Sequence, residues 1–189
     1  MTRDEILDAA AQIFRQKGFH AASMQDIAEA LHVQKASLYH HVSSKQEILV
    51  AVLDRALDVI SERILGVLNQ PVPPEVKLRQ AMCAYLTTLL ENRDLAAVLL
   101  LEHRSLAPEL RVNHIPRRDR FEHLWRELIH EGLTQQAFEC EDVALTARAL
   151  LGMMNWTITW FRSDGQLTAE QVADQLARLT LDGLLIRNG

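Results

Sequence analysis

Apolar positions recur at helical spacing almost from the first residue. Ile6, Ala10, Ile13 and Phe14 fall at i, i+4, i+7 and i+8, the inward stripe of an amphipathic helix over residues 3–17. Gly18 suits its end, because a residue without Cβ enters the left-handed region freely. Met24, Ile27, Ala28 and Leu31 form a second stripe, and Ser23 with Asp26 three residues on has the form of a capping box. His32, Val33 and Gln34 stand where a tight turn would fall, and Lys35–His41 suits a short third helix. Ser44 with Glu47 repeats the capping pattern and opens a long fourth helix. Its inward face carries Ile48, Val52, Ala56, Val59 and Ile60, and the spacing persists to about Val67, a rod of roughly 35 Å.

Gln70-Pro71-Val72-Pro73-Pro74 then interrupts the pattern as the clearest loop in the chain. A helix over 75–91 follows, with Leu78, Met82, Tyr85, Leu86 and Leu89 apolar. Another is expected from Asp94 through the apolar run Leu95–Leu101, ending before Pro108. A further one runs from near Pro116 to about Gln135, with Phe121, Leu124, Trp125 and Leu128 on one face. Asp142–Phe161 is the most apolar long helix, Ser163-Asp164-Gly165 is a turn, and Thr168 with Gln171 caps a last helix to about Arg187. The pattern predicts an all-α chain of about nine helices with no strand and no internal repeat. A three-helix unit with a helix-turn-helix occupies 1–47 and a larger helical domain 48–189.

Composition supports helices: seven Gly and five Pro in 189 residues disfavour a turn-rich β protein. The net charge of −5 gives no global support for nucleic-acid binding, so such a function must rest on a local surface. One exists. From Ala30 to Gln46 there is no Asp or Glu, in a chain with 25 of them, and the same window holds Lys35, Lys45, His32, His40 and His41. DNA affinity requires phosphate neutralisation, and this face offers it. In the third helix Leu38 is the natural core contact, and small Ala36 and Ser37 let the backbone lie close to base edges. Gln34, Lys35 and Ser37 can donate to base edges or to phosphates. Tyr39 fits either a core or a phosphate oxygen that takes its hydroxyl proton. Lys45 places a cation in the first turn of the fourth helix, against the helix dipole. Either a phosphate sits between it and the exposed N–H groups, or it is a solvated lysine.

The run Ser23-Met24-Gln25-Asp26-Ile27-Ala28, then Val33-Gln34-Lys35-Ala36-Ser37-Leu38-Tyr39-His40-His41-Val42-Ser43-Ser44-Lys45, with the Ile6-to-Phe14 helix and Gly18-Phe19 before it, resembles the DNA-binding domain of TetR-family regulators. Leu-Tyr-His-His, followed after three residues by Lys, is the most specific part. The chain departs from the family pattern at His32, where Gly is frequent, and at Val42, where Phe is commoner. The resemblance implies that Ser23, Tyr39 and Lys45 contact phosphates and that residues 34–37 and 40 face the major groove. Gln34, Lys35, Ala36 and Ser37 would then lie at base edges, with His40 reaching a phosphate. It further implies a C-terminal domain that forms a homodimer and binds a small effector, which alters affinity for a palindromic operator.

For that domain, Leu150, Leu151, Met154, Ile158 and Phe161 on one helix and Val172, Leu176, Leu179 and Leu184 on the next offer apolar area for a dimer. Some of them must instead form the intramolecular core. Met82, Tyr85, Leu89, Leu100, Trp125, Met153, Asn155 and Trp156 are candidates to line an effector pocket, a role that competes with plain core packing for each of them. Asn155 stands out, since a buried amide must be paired. The segments Arg117–Glu122 and Asn155–Gly165 resemble those of TetR members that sense fatty acyl-CoA or related CoA thioesters. Arg104, Arg111, Arg117, Arg118 or Arg120 would then hold the phosphates, or form a solvated basic face.

Other classes find little support. No GxSxG, P-loop, dinucleotide-binding glycine pattern or HExxH occurs, so neither an enzyme nor a cofactor is expected. His123, Glu127 and His130 share a helical face, but a di-metal bundle site needs a second such helix, and a solvated face accounts for them. Cys83 and Cys140 read as two buried thiols in a reducing cytoplasm. The N-terminus is not a signal peptide, no apolar run spans a membrane, and a cytoplasmic location is expected. A helical adaptor that binds only protein would not need the acid-free window.

Overall fold

The computed structural model describes residues 1–184. Among them are nine α-helices and no strand: α1 (Arg3–Lys17), α2 (Met24–Ala30), α3 (Lys35–Leu38), α4 (Lys45–Leu68), α5 (Pro74–Glu91), α6 (Arg93–Ala97), α7 (Pro108–Thr134), α8 (Val143–Trp160) and α9 (Ala169–Leu184). A π-helical stretch, Val98–Glu102, and a 3-10 turn, His103–Ser105, continue α6. The expected extension of the last helix to Arg187 lies outside the described residues.

The chain divides into two compact units that follow no single cut in the sequence. One comprises residues 1–58 and 92–117, the other 59–91 and 118 onward. The cut expected after residue 47 falls inside α4, whose 24 residues run on for about 36 Å.

In the first unit, α1 packs against α2, α6 and the π-helical stretch, and α2 against α3. The core holds Ile6, Phe14, Ile27, Leu38, Ile48 and Leu49, all fully buried. Burying each such side chain contributes about 1.5–3 kcal/mol. Phe19 meets Phe14 edge-on at 5.3 Å between ring centroids. The helix starts are set locally. Ser23 and Asp26 form the reciprocal capping box, and Thr2 with Glu5 does the same for α1. At α4 only half of the expected box forms. Ser44 Oγ accepts the Glu47 N–H at 3.1 Å, while the Glu47 carboxylate reaches one residue further back, to the N–H and hydroxyl of Ser43.

In the second unit α5 packs against α8 and α9. Thr168 and Gln171 exchange the expected capping bonds. Lys77 is almost fully buried, with its ammonium 2.7 and 2.9 Å from the two carboxylate oxygens of Glu131. The ring of Phe138 lies directly over the Cα of Gly132, where any side chain would collide with it. Cys83 and Cys140 are unlinked and half-buried, less enclosed than expected.

Two helix boundaries depart from expectation. α3 ends at Leu38 and the chain turns through Tyr39–His41, with His41 and Val42 N–H both on the Leu38 carbonyl. α7 starts at Pro108, a favoured first-turn residue, and passes through Pro116 without stopping. Proline removes one N–H and crowds the carbonyl four residues back. Here Val112 and Pro116 are both exposed.

His32, the departure from glycine in the turn, adopts the left-handed conformation itself, at φ 55°. The turn is kept at a steric cost of about 1–2 kcal/mol, part of which glycine would return as unfolded-state entropy. His32→Gly is therefore expected to stabilise the chain by about 0.5–1 kcal/mol and raise Tm by about 2 °C in a thermal melt. An unchanged or lowered Tm would show that the imidazole makes up the difference.

Candidate nucleic-acid interface and effector-binding core

With Leu38 and Val42 buried beneath it, the α3 segment exposes Gln34, Lys35, Ala36, Tyr39, His40 and His41, and Ser37 is half-buried. Tyr39 is 49% exposed, which settles its open choice against the core. Lys35 Nζ lies 6.0 Å from the Tyr39 ring centroid, within reach of a cation–π contact. Gln34 precedes α3 without spending its side chain on a cap.

Two expected phosphate ligands are already committed. Lys45 is half-buried, and its ammonium is turned back onto the protein backbone. Its ammonium donates to the carbonyls of Phe19 at 2.7 Å and Ala22 at 2.5 Å, with His20 at 3.4 Å, and it lies 4.4 Å from the Phe19 ring centroid. All three N–H donors of an ammonium are thus directed at protein oxygens. The cation that opposes the α4 dipole is a staple to the loop entering α2. Ser23 gives its hydroxyl proton to Asp26 Oδ2 at 2.8 Å and accepts the Asp26 N–H at 3.1 Å, so it has no proton left for a phosphate. Asp26 also takes Lys17 at 2.6 Å; that bond first, with those from Ser23, lowers its pKa to about 2.

Gln46, next to the staple, is a ligand pair that spacing does not reveal. Its amide donates to the Ser105 carbonyl at 3.0 Å and accepts the Ala107 N–H at 3.1 Å. Nearby Arg117 pairs with Asp54 at 3.0 Å and Asp58 at 2.6 Å, which ties α7 to α4 within the first unit.

The second unit has an aromatic and methionine core. Met82, Tyr85, Leu89 and Trp125 are fully buried, Met153 and Asn155 half-buried. Tyr85 stacks on Phe121 at 5.5 Å and meets Trp125 edge-on at 5.6 Å. Its hydroxyl donates to Asn155 Oδ1 at 2.6 Å, so the amide singled out in the sequence is paired. Burial pushes the Tyr85 pKa far up, which keeps the phenol protonated as a donor. The Trp125 indole N–H, by contrast, is buried and has no acceptor. Leaving such a donor unmade costs about 1–3 kcal/mol. Leu100 falls in the first unit.

Trp156 does not line this core. It is 67% exposed, and with Leu145, Ala149, Gly152 and Trp160, all exposed, it forms a stripe along one face of α8. Four of the nine expected dimer residues point inward. Leu150, Met154, Phe161 and Val172 are buried within the chain, and Leu151, Ile158, Leu176 and Leu184 are half-buried; only Leu179, at 65%, is strongly exposed. Phe161 and Val172 pack with Leu90, and Leu176 packs against that cluster. Of the expected phosphate-binding arginines, Arg111 already donates to the carbonyls of Arg104 and Leu106, and Arg117 is held by its two aspartates. Arg104, Arg118 and Arg120 are exposed, Arg118 lying 3.9 Å from Asp119.

Residues 6–52 match the model of the tetR family of bacterial regulatory proteins, and residues 71–184 match a tetracyclin repressor-like C-terminal domain. The chain belongs to the TetR family. Among curated relatives, the HTH-type transcriptional repressor KstR2 of Rhodococcus jostii is 30% identical over 96% of this chain and 90% of its own. The crystal structure of the TetR-family regulator PfmR from Thermus thermophilus shares 41% identity at a TM-score of 0.87, covering 94% of this chain and 97% of that one. The structure of AibR in complex with isovaleryl coenzyme A and operator DNA shares 30% identity at a TM-score of 0.85, covering 94% and 96%. This TetR-family chain is a DNA-binding transcriptional regulator and not an enzyme. No helix among its described residues is long and apolar enough to cross a membrane.

The staple is a structural prediction of the first unit. Lys45→Met is expected to lower stability by about 1–2 kcal/mol in urea unfolding, through the lost charge-assisted bonds. A lysine that served only a phosphate would leave unfolding unchanged.

Proposed function

We propose that the chain is a repressor that holds a palindromic operator as a homodimer in the cytoplasm and is released by a small effector with a hydrophobic part, a fatty acyl-CoA or related CoA thioester. The observation that carries this reading is the exposed, acid-free α3 surface, within a chain whose 6–52 segment matches the DNA-binding model of the family. Gln34, Lys35, Ala36 and Ser37 meet base edges and Tyr39 and His40 meet phosphates, because all of these but half-buried Ser37 are exposed while Leu38 anchors the segment. Lys45 and Ser23 act behind them, holding α4 and α2 in place. The relative crystallised with isovaleryl coenzyme A and operator DNA supports both partners. The α8 stripe of Leu145, Trp156 and Trp160, with Leu179 of α9, makes the dimer surface in place of buried Leu150, Met154, Phe161 and Val172.

Enrichment of genomic DNA fragments by the purified protein, with and without long-chain acyl-CoA, tests the reading. The expected outcome is one shared palindrome, lost on adding the thioester. A palindrome that persists would discard the effector class, and no enrichment at all would overturn DNA recognition. Trp156→Glu is expected to convert the dimer to monomers in sedimentation and to weaken operator binding about a hundredfold or more, as the two heads lose their linkage. A dimeric Trp156→Glu protein would move the interface elsewhere.

A further inference from the structure

Within the second unit, the polar atoms enclosed among α5, α7 and α8 fall into two kinds. The Tyr85 hydroxyl and the Asn155 carbonyl oxygen satisfy each other across 2.6 Å. The Trp125 indole N–H, on a side chain with no exposed surface, has no acceptor, although the Tyr85 ring touches its own. A buried tryptophan normally finds a partner for this proton. A donor that no protein atom meets, inside an apolar wall, is a place where an incoming acceptor gains a bond without breaking one within the protein. Met82 is unbranched and adaptable, and Asn155, which meets Tyr85, is only half-buried.

We propose that Trp125 Nε1–H is the polar anchor of the effector, and that the part of the effector entering this core therefore carries a carbonyl oxygen on an otherwise apolar segment. The thioester oxygen of an acyl-CoA has this chemistry, and so does a simple ketone. A thioether or a hydrocarbon does not. Tyr85 does not compete for the carbonyl, since its proton is already on Asn155. This proposal deepens the effector reading above and rests on it.

The test uses the full-length protein labelled with ¹⁵N-tryptophan and three probes: octanoyl-CoA, S-octyl-CoA, which lacks the carbonyl, and 2-undecanone. The Trp125 indole peak is identified by its loss in Trp125→Phe. Octanoyl-CoA and the ketone are expected to move that proton downfield and slow its exchange with water, and S-octyl-CoA to do neither. By calorimetry octanoyl-CoA is expected to bind about tenfold more tightly than S-octyl-CoA, and Trp125→Phe to bring the ratio close to one. A Trp125 peak unmoved by both carbonyl probes overturns the anchor, whether or not operator DNA is released. So does a binding ratio that survives Trp125→Phe. Octanoyl-CoA that leaves the operator bound, while the ketone moves the peak, overturns the CoA reading and supports the anchor.

Discussion

An ammonium ion leaves water only if oxygens replace the water around it, and Lys45 meets that condition with the backbone itself. The carbonyls of Phe19, His20 and Ala22 receive its protons and the Phe19 ring lies beneath it. Those carbonyls belong to the segment between the end of α1 and the start of α2, so one side chain from α4 holds the entry to the helix-turn-helix. Ser23 and Asp26 then fix the first turn of α2, and α2 carries α3. Gln46, one residue on, bonds the 105–107 segment on both its donor and acceptor sides. The start of α4 is therefore the joint of the first unit. What α3 presents outward is only as well placed as this joint.

The second unit solves the opposite problem, which is to keep polar atoms among apolar ones. Lys77 and Glu131 neutralise each other, and Tyr85 and Asn155 share a proton donor and an acceptor. Such pairs add little net stability but are costly to break, because each partner would be left buried and alone. They favour one arrangement of α5, α7 and α8. Against that background the unmet N–H of Trp125 is the place where the core is least satisfied.

The surface of α8 shows why hydrophobicity alone does not assign a face. The helix is apolar nearly all round, so its inner side (Leu150, Met154, Thr157) and its outer stripe (Leu145, Trp156, Trp160) look alike along the chain. Small Ala149 and Gly152 lie within the outer stripe and leave the large indoles standing clear. Trp156, expected at an effector pocket, thereby stands on the exposed face, while Leu150, Met154, Phe161 and Val172, expected at a dimer surface, are buried.

The sequence by itself determined the helices, their order and the character of the N-terminal unit. Stripes at i, i+3, i+4 and i+7, capping pairs such as Ser23–Asp26 and Thr168–Gln171, and breakers such as the prolines at 71–74 all act over a few residues, so they are visible locally. The same holds for Leu38 as the anchor of α3 and for the acid-free window about it. The tertiary structure alone decided where long side chains end. A lysine spans several ångströms, and whether its charge meets solvent, a phosphate or a carbonyl 23 to 26 residues away depends on what the fold brings near. It likewise decided that α7 runs through Pro116, that Asn155 answers Tyr85 across 70 residues, and which side of α8 is inside. Each of these depends on contacts between residues distant in sequence, and periodicity along one helix carries no information about the neighbour it will meet.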